Sequence, residues 1–143
     1  HPQSVIHSAV EFEDGAVIAQ LGTPDMRLPI QYALYYPTRR PLSGESLDLF
    51  SVVQLTFMEP DTYTFTGLAL AYEAMGRGGN VPTIYNAANE RAVALFLERK
   101  IAYLDIVRII KASMEAIPFV ANPSLDEILQ TEQQTYEFID SRW

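Results

Sequence analysis

The feature that most constrains the fold is the stretch SVIHSAVEFEDGAVIAQL, residues 4 to 21, in which two runs rich in β-branched residues flank the dipeptide Asp14-Gly15. Asp-Gly readily adopts the positive φ angles of a tight two-residue turn, so the stretch predicts a β-hairpin in which Phe12 pairs with Val17. Both faces of this hairpin are largely apolar near its open end, and an isolated two-stranded hairpin is marginal in water. We therefore expect the two strands to belong to a larger sheet.

The segment after the hairpin predicts little regular structure. Pro29 suits the first position of a short helix and Pro37 ends it. Residues 37–66 are rich in Pro, Ser, Thr, Gly and Asp without a sustained period, and they indicate an extended connecting segment. Val52 to Phe57 is the single further strand candidate in this region.

The last part of the chain has the periodicity of four helices. The first starts at Gly67 and stops at the GRGG sequence, the second has Pro82 near its start, the third follows Asp105, and the fourth begins at the capping box of Ser124. The second helix carries a predicted core stripe: Ile84, Ala88, Ala92, Leu95 and Phe96. The fold class is therefore α+β, with an N-terminal β-hairpin from a larger sheet, a linker, and a C-terminal domain like a four-helix bundle.

Composition excludes several classes of function. The 143 residues carry a net charge of −8, which phosphate backbones and anionic membrane surfaces repel, so we expect no nucleic-acid or membrane partner. The chain has no cysteine, so disulfides and thiolate metal sites are excluded. No apolar run approaches the ~20 residues of a membrane span, and the first residues do not resemble a signal peptide. We expect a cytoplasmic protein whose first residue is an internal position of a longer chain.

The most promising candidate site lies where His7 meets the loop GTPDMR. The predicted register sets His7 opposite Gly22, at the start of this loop, where an imidazole could contact a ligand or be held by a backbone carbonyl. In the loop, Met26 could adapt to a ligand surface, or Asp25 could cap the following helix while Arg27 pairs with it on the surface. The residues leave both pairs of alternatives open.

Other motifs favour structural roles. The sequence GRGGN lacks the spacing and the trailing Lys-Ser/Thr of a phosphate loop, so it indicates a helix stop. Asn86 and Asn89 of NAANE are expected to tie their helix to neighbouring backbone by hydrogen bonds. Glu11, Glu13 and Asp14 form an acidic hairpin tip that indicates a solvated turn. Spacing assembles no set of nucleophile, base and orienting acid.

The ordered motifs HPQSVIHS, the Asp-Gly hairpin, AQLGTPDMRLPI and NAANE together resemble the family of 1-deoxy-D-xylulose 5-phosphate reductoisomerases. The resemblance extends over essentially the whole chain. It implies a homodimeric enzyme that uses NADPH and Mg²⁺ or Mn²⁺ to convert this keto-sugar phosphate to 2-C-methyl-D-erythritol 4-phosphate in non-mevalonate isoprenoid biosynthesis. By this likeness, residues 1–36 end the central catalytic domain, 37–66 connect, and 67–143 form the C-terminal helical domain.

The resemblance also implies which site residues the chain holds. His7 and Met26 match family positions near the substrate, so we expect them to form part of the substrate-site wall. The family's nucleotide-binding glycines, metal-binding acids and phosphate-binding residues match nothing here, so the chain is expected to supply no catalytic, cofactor-binding or metal-binding residue and to be inactive alone. Leu28 stands where the family often has a capping threonine, which leaves Asp25 as the cap. The alternative is a free-standing, non-catalytic dimerisation or interaction module.

Overall fold

The computed structural model describes all 143 residues, which form two compact units, His1–Glu59 and Pro60–Trp143. The first unit contains strands β1 (Ile6–Glu11) and β2 (Val17–Leu21) and helices α1 (Arg27–Tyr35) and α2 (Leu49–Val52). The second contains helices α3 (Thr66–Arg77), α4 (Val81–Leu97), α5 (Asp105–Ala116) and α6 (Leu125–Asp140). The α+β class predicted from the sequence is confirmed.

The two strands form the predicted antiparallel hairpin, but the predicted two-residue turn is wrong. The Phe12 N–H donates to the Ala16 carbonyl at 2.8 Å and the Gly15 N–H to the Phe12 carbonyl at 2.9 Å, which closes a three-residue loop. Only Gly15 of this loop has a positive φ, +83°. A turn followed by one left-handed glycine is the usual geometry of a three-residue hairpin loop. Val17 consequently pairs with Glu11 instead of Phe12.

A second irregularity lies at the open end of the hairpin. Ile6 pairs with Leu21 while Ser8 pairs with Gln20, so β1 has one extra residue, His7. The predicted pairing of His7 with Gly22 is therefore wrong. Instead the Gly22 N–H donates to the carbonyl of Val5 at 3.0 Å. Such a bulge re-aims a side chain at the edge of a ladder.

The segment after the hairpin is less regular than the strands. Helix α1 begins at Arg27, before the predicted start at Pro29, and ends at Tyr35. The predicted strand from Val52 to Phe57 is wrong, because this part of the chain pairs with no strand. It nevertheless contacts the start of the chain, since Thr56 bonds to the side chain of Gln3 at 2.7 Å.

The second unit is built around α4, which packs against α3, α5 and α6. Small residues on its buried stripe allow the other helices to approach closely. Each fully buried Ile or Leu side chain contributes roughly 1.5–3 kcal/mol through removal from water. The buried apolar core is made by these side chains: Ala74, Val81, Ile84, Ala88, Ala92, Leu95, Ile109, Ile110, Met114 and Ile139. The predicted stripe is thus confirmed except for Phe96, which stays 36% exposed.

The start of α6 follows its local sequence signal, whereas α1, α3, α4 and α5 have no side-chain hydrogen bond from the N-cap residue. Ser124 and Glu127 form the predicted capping box at the start of α6, with reciprocal side-chain to backbone bonds. The N–H and hydroxyl of Ser124 both donate to Glu127 and hold the pKa of its carboxyl below the usual value. The prediction that α5 follows Asp105 is wrong by one residue, because Asp105 is the first residue of the helix and Leu104 is its N-cap. The Asp105 carboxylate accepts from the Ala102 N–H at 2.9 Å. None of the helices has the length and apolarity required of a membrane span.

Candidate functional site

The candidate site is a pocket of about 410 Å³ in the first unit, between the open end of the hairpin and the start of α1. Its lining residues come from the HPQSVIHS stretch, from β2 and from the loop before α1. They are Ser4, His7, Gln20, Thr23, Pro24, Asp25, Met26, Leu28 and Pro29. The structure therefore brings His7 and Met26, the two site residues that the family resemblance implied, to the wall of one pocket.

The bulge in β1 positions His7. Its Nε2 atom lies 3.3 Å from the carbonyl oxygen of Thr23, which fixes the ring against the loop, while the side chain stays exposed. With Nε2 donating to this carbonyl, Nδ1 carries the free lone pair and has no protein partner. The imidazole can therefore receive a hydrogen bond from a ligand hydroxyl in the pocket.

Met26 presents a flexible apolar surface beside this imidazole. It directly precedes α1 and is 72% exposed, with no side-chain hydrogen bond at the helix start. A thioether side chain in this state adapts to irregular apolar shapes. His7 and Met26 thus offer one polar and one apolar contact to a small molecule.

Asp25 supports the loop and the start of α1, but the expectation that it is the N-cap residue is wrong, because Met26 occupies that position. Its Oδ1 accepts from the backbone N–H of Arg27 at 2.9 Å, and the Arg27 guanidinium lies 2.6 Å from Oδ2. These bonds from Arg27 hold the pKa of the Asp25 carboxyl below its usual value, and Asp25 in turn raises the pKa of Arg27. Both carboxylate oxygens are occupied, so the pair leaves the pocket rim without a net charge.

Other sequence candidates lie outside this pocket. The glycines of GRGGN end α3, since Gly78 has a φ of +64° and its N–H donates to the Ala74 carbonyl at 3.1 Å. The expectation that Asn86 and Asn89 tie α4 to neighbouring backbone is wrong, because neither amide makes a hydrogen bond and Asn86 is exposed. Asn80 has this role instead. Its buried amide bonds to the carbonyl of Pro118 at 2.9 Å, to Thr131 at 3.2 Å, and to the Val120 N–H at 2.9 Å.

The acidic hairpin tip and the other acids gather no metal ligands. The Asp14 carboxylate accepts from the Ala16 N–H at 2.9 Å and so supports the turn. No group of three or more His, Asp or Glu side chains could share one ion. A Cβ at Gly79 would lie 2.3 Å from the Val120 carbonyl oxygen, so the Gly79 backbone of GRGGN faces protein and leaves no room for an anion there.

Thr23 and Pro24 belong to the loop in which the sequence placed the candidate site, whereas Ser4 and Gln20 also line the pocket and were not predicted. Ser4 has a positive φ of +52°, which a serine does not signal in a sequence as a glycine or an asparagine would. The one sequence signal that could have placed Ser4 at the pocket is its position in HPQSVIHS, three residues before His7.

Fold and pocket together define a class of protein domain: a helical unit preceded in the chain by a sheet element that carries one wall of a pocket. The model of the DXP reductoisomerase C-terminal domain matches residues 21–138, and the chain belongs to this family.

Curated relatives and solved structures agree with this assignment. The chain is 68% identical over 143 residues to the 1-deoxy-D-xylulose 5-phosphate reductoisomerase of Agathobacter rectalis and 60% identical over 142 residues to that of Lachnospira eligens. These matches cover 100% and 99% of the chain but 38% and 37% of the relatives. The chain therefore spans less than two-fifths of the length of these proteins.

Among solved structures, the 1-deoxy-D-xylulose 5-phosphate reductoisomerase from Zymomonas mobilis in complex with NADPH is 42% identical to this chain, with a TM-score of 0.86. The match covers 98% of this chain and 37% of the Zymomonas mobilis chain. A reductoisomerase in complex with NADPH, fosmidomycin and magnesium matches at 37% identity and a TM-score of 0.89, over 99% of this chain and 37% of that one.

Proposed function

We propose that this chain is the C-terminal part of a homodimeric, cytoplasmic enzyme that converts 1-deoxy-D-xylulose 5-phosphate to 2-C-methyl-D-erythritol 4-phosphate, with NADPH and Mg²⁺ or Mn²⁺. The observation that carries this proposal is the 68% identity over the full chain to a curated 1-deoxy-D-xylulose 5-phosphate reductoisomerase. In this assignment residues 1–36 end the catalytic domain, 37–66 connect, and 67–143 form the helical domain.

In this enzyme His7 and Met26 would form part of the substrate-site wall. Their position on one pocket supports this role, since the free Nδ1 of His7 can accept from a sugar hydroxyl and Met26 can cover an apolar carbon. The proposal assigns the metal ligands, the nucleotide site and the phosphate site to the longer protein, because the family motifs that supply them match no residues of this chain. The 143-residue chain alone is then inactive.

The exposed apolar side chains of the hairpin support a place in a larger assembly. Val10, Val17 and Ile18 are each more than half exposed. In the proposed enzyme, the rest of the catalytic sheet and a second copy cover them, which removes apolar surface from water. The free-standing interaction module remains the alternative, with a partner on this hairpin.

A kinetic experiment tests the proposal. We expect the full-length protein to oxidise NADPH when it is given 1-deoxy-D-xylulose 5-phosphate and Mg²⁺, and the 143-residue chain to show no turnover. Loss of one ligand hydrogen bond in His7→Ala should raise the KM for the sugar phosphate about threefold to tenfold. The matched control is Glu11→Gln, an exposed change on the same hairpin outside the pocket, which should leave KM unchanged.

The outcomes separate the two candidates. A full-length protein that is inert with this substrate and metal contradicts the enzyme and favours the interaction module. Equal effects of His7→Ala and Glu11→Gln would return His7 to a structural role while leaving the enzyme assignment intact.

A further inference from the structure

The imidazole of His1 lies inside the turn that it begins, where both of its nitrogen atoms have backbone partners. Its Nε2 atom is 3.1 Å from the backbone nitrogens of Val5 and of Ile6. Its Nδ1 atom is 3.1 Å from the carbonyl oxygen of Thr56. Backbone N–H groups only donate, so Nε2 is the acceptor, and the carbonyl requires the proton to be on Nδ1. The two sets of partners therefore assign one neutral tautomer.

The two backbone N–H groups that donate to the His1 ring belong to Val5 and Ile6, the residues between Ser4 and His7. Ser4 and His7 both line the pocket. Ser4 has a φ of +52°, and a residue other than glycine costs roughly 1–2 kcal/mol in this region, so it persists only where its surroundings hold it. His7 is the extra residue of the β1 bulge. The His1 ring thus binds the backbone at Val5 and Ile6, the two residues that separate Ser4 from His7 in the chain.

The opposite side of the His1 ring is also fixed. The ring stacks on Phe57, with centroids 5.2 Å apart and planes inclined by 19°. Next to it, the Gln3 amide bonds to the Thr56 hydroxyl at 2.7 Å and receives the Thr56 N–H at 3.2 Å. These contacts hold the ring in one orientation, so Nε2 is a fixed acceptor for the two backbone N–H groups.

We propose that His1 is a positioning residue: its neutral imidazole fixes the backbone between Ser4 and His7 and so sets where these two side chains stand in the pocket. This inference rests on the proposed function, because it concerns the wall of the pocket assigned to the sugar phosphate. His1 itself does not line the pocket, so its effect on the substrate acts through its neighbours.

Two amide variants of His1 in the full-length protein separate its two hydrogen-bonding roles. Asn places its amide near Nδ1 and keeps a donor for Thr56 but lacks an acceptor for Val5 and Ile6, whereas the longer Gln places an amide oxygen near Nε2. We expect His1→Asn to raise the KM for 1-deoxy-D-xylulose 5-phosphate about tenfold with little change in kcat, since the loss is one of binding geometry. His1→Gln should restore KM to within about threefold of the wild type.

The matched control is Gln3→Ala, which removes the neighbouring bonds to Thr56 and leaves the three bonds of His1 in place. We expect this variant to keep the wild-type KM. If Gln3→Ala and His1→Asn raise KM equally, or if His1→Gln behaves as His1→Asn does, His1 is an ordinary structural residue of the turn and the inference is overturned.

A readout without turnover separates this inference from the proposed function. Hydrogen exchange at the amides of Val5 and Ile6, measured by nuclear magnetic resonance on the same proteins, should be slow in the wild type and His1→Gln and fast in His1→Asn. A wild type that does not consume NADPH refutes the proposed function alone. Fast exchange at both amides in the wild type refutes the role of His1 whatever the activity.

Discussion

Gly79 permits a close backbone approach in the helical unit, and its replacement by alanine should be severely destabilising. A Cβ atom at this position would lie 2.3 Å from the Val120 carbonyl oxygen and 2.8 Å from the Phe119 ring, and the residue has a φ of +57°. The obstacle is backbone, which no rotamer change can move aside. The Val120 segment is itself held by Asn80, which receives its N–H at 2.9 Å and donates a backbone N–H to its carbonyl at 3.0 Å.

The magnitude follows from two contributions. The left-handed backbone costs alanine roughly 1–2 kcal/mol. To relieve the clash, the Val120 segment must move away from Asn80, so the two hydrogen bonds between these residues are lost. Each loss costs about 0.5–1.5 kcal/mol. Asn80 is 1% exposed, so its backbone N–H is then left buried and unpaired. Together these contributions amount to about 2–5 kcal/mol, a large part of the ~5–15 kcal/mol that stabilises a typical domain.

Two neighbouring glycines supply matched controls for Gly79→Ala. Gly78 also has a positive φ, +64°, but a Cβ there meets nothing within 4 Å, so Gly78→Ala should show only the backbone cost of roughly 1–3 kcal/mol. Gly76 lies in α3 with open space around it, so Gly76→Ala should stabilise by about 0.5–1 kcal/mol. Urea unfolding followed by far-ultraviolet circular dichroism measures all three. The reasoning fails if Gly79→Ala costs no more than Gly78→Ala.

Two further predictions concern a buried hydroxyl and an exposed ion pair. The Ser113 hydroxyl is buried without a hydrogen-bond partner, so Ser113→Ala should raise the free energy of unfolding by about 1 kcal/mol in urea. Thr135→Val removes a hydroxyl that does have a partner, so it should not stabilise the protein. A destabilised Ser113→Ala variant would mean that the hydroxyl has a partner. The hydrogen bond from Arg27 lowers the pKa of Asp25. The stabilisation of the loop by this pair is therefore complete at pH values above the ordinary aspartate pKa of about 3.9. It is lost as the pH falls through the lowered pKa of Asp25. In a carboxyl-carbon titration by nuclear magnetic resonance, Arg27→Gln should move the Asp25 midpoint back up, and an unmoved midpoint contradicts this assignment.

The helical unit was largely predictable because its signals are local. The capping box at Ser124 and the apolar period in α4 each depend on residues within a few positions of one another. Side-chain partners across the fold were not predictable. Asn80 bonds to Pro118 and Thr131, which are 38 and 51 positions away in the chain, and its neighbours in sequence carry no sign of this. Asn86, which has the same chemistry, is exposed.

The first unit shows the same division between local and distant information. The Asp-Gly dipeptide predicted a hairpin correctly, but its loop length depends on which residue takes the positive φ, and here only Gly15 does. The strand predicted from Val52 to Phe57 failed because β-branched composition does not supply a partner strand. His1 and Gln3 bind this segment through side chains instead.

His7 lies beside the loop of Met26 although the predicted register of the hairpin is wrong, and the two register shifts in the hairpin can be counted. The three-residue loop shifts the pairing by one residue near the turn, which alone would exchange the two faces of the hairpin beyond it. The extra residue at His7 adds a second shift of one, so the strand residues outside the bulge differ from the predicted register by two. Side chains alternate with a period of two, so an even shift leaves the predicted face unchanged. Beyond the bulge, Ile6 pairs with Leu21, and Ser4 and His7 on either side of Ile6 both line the pocket.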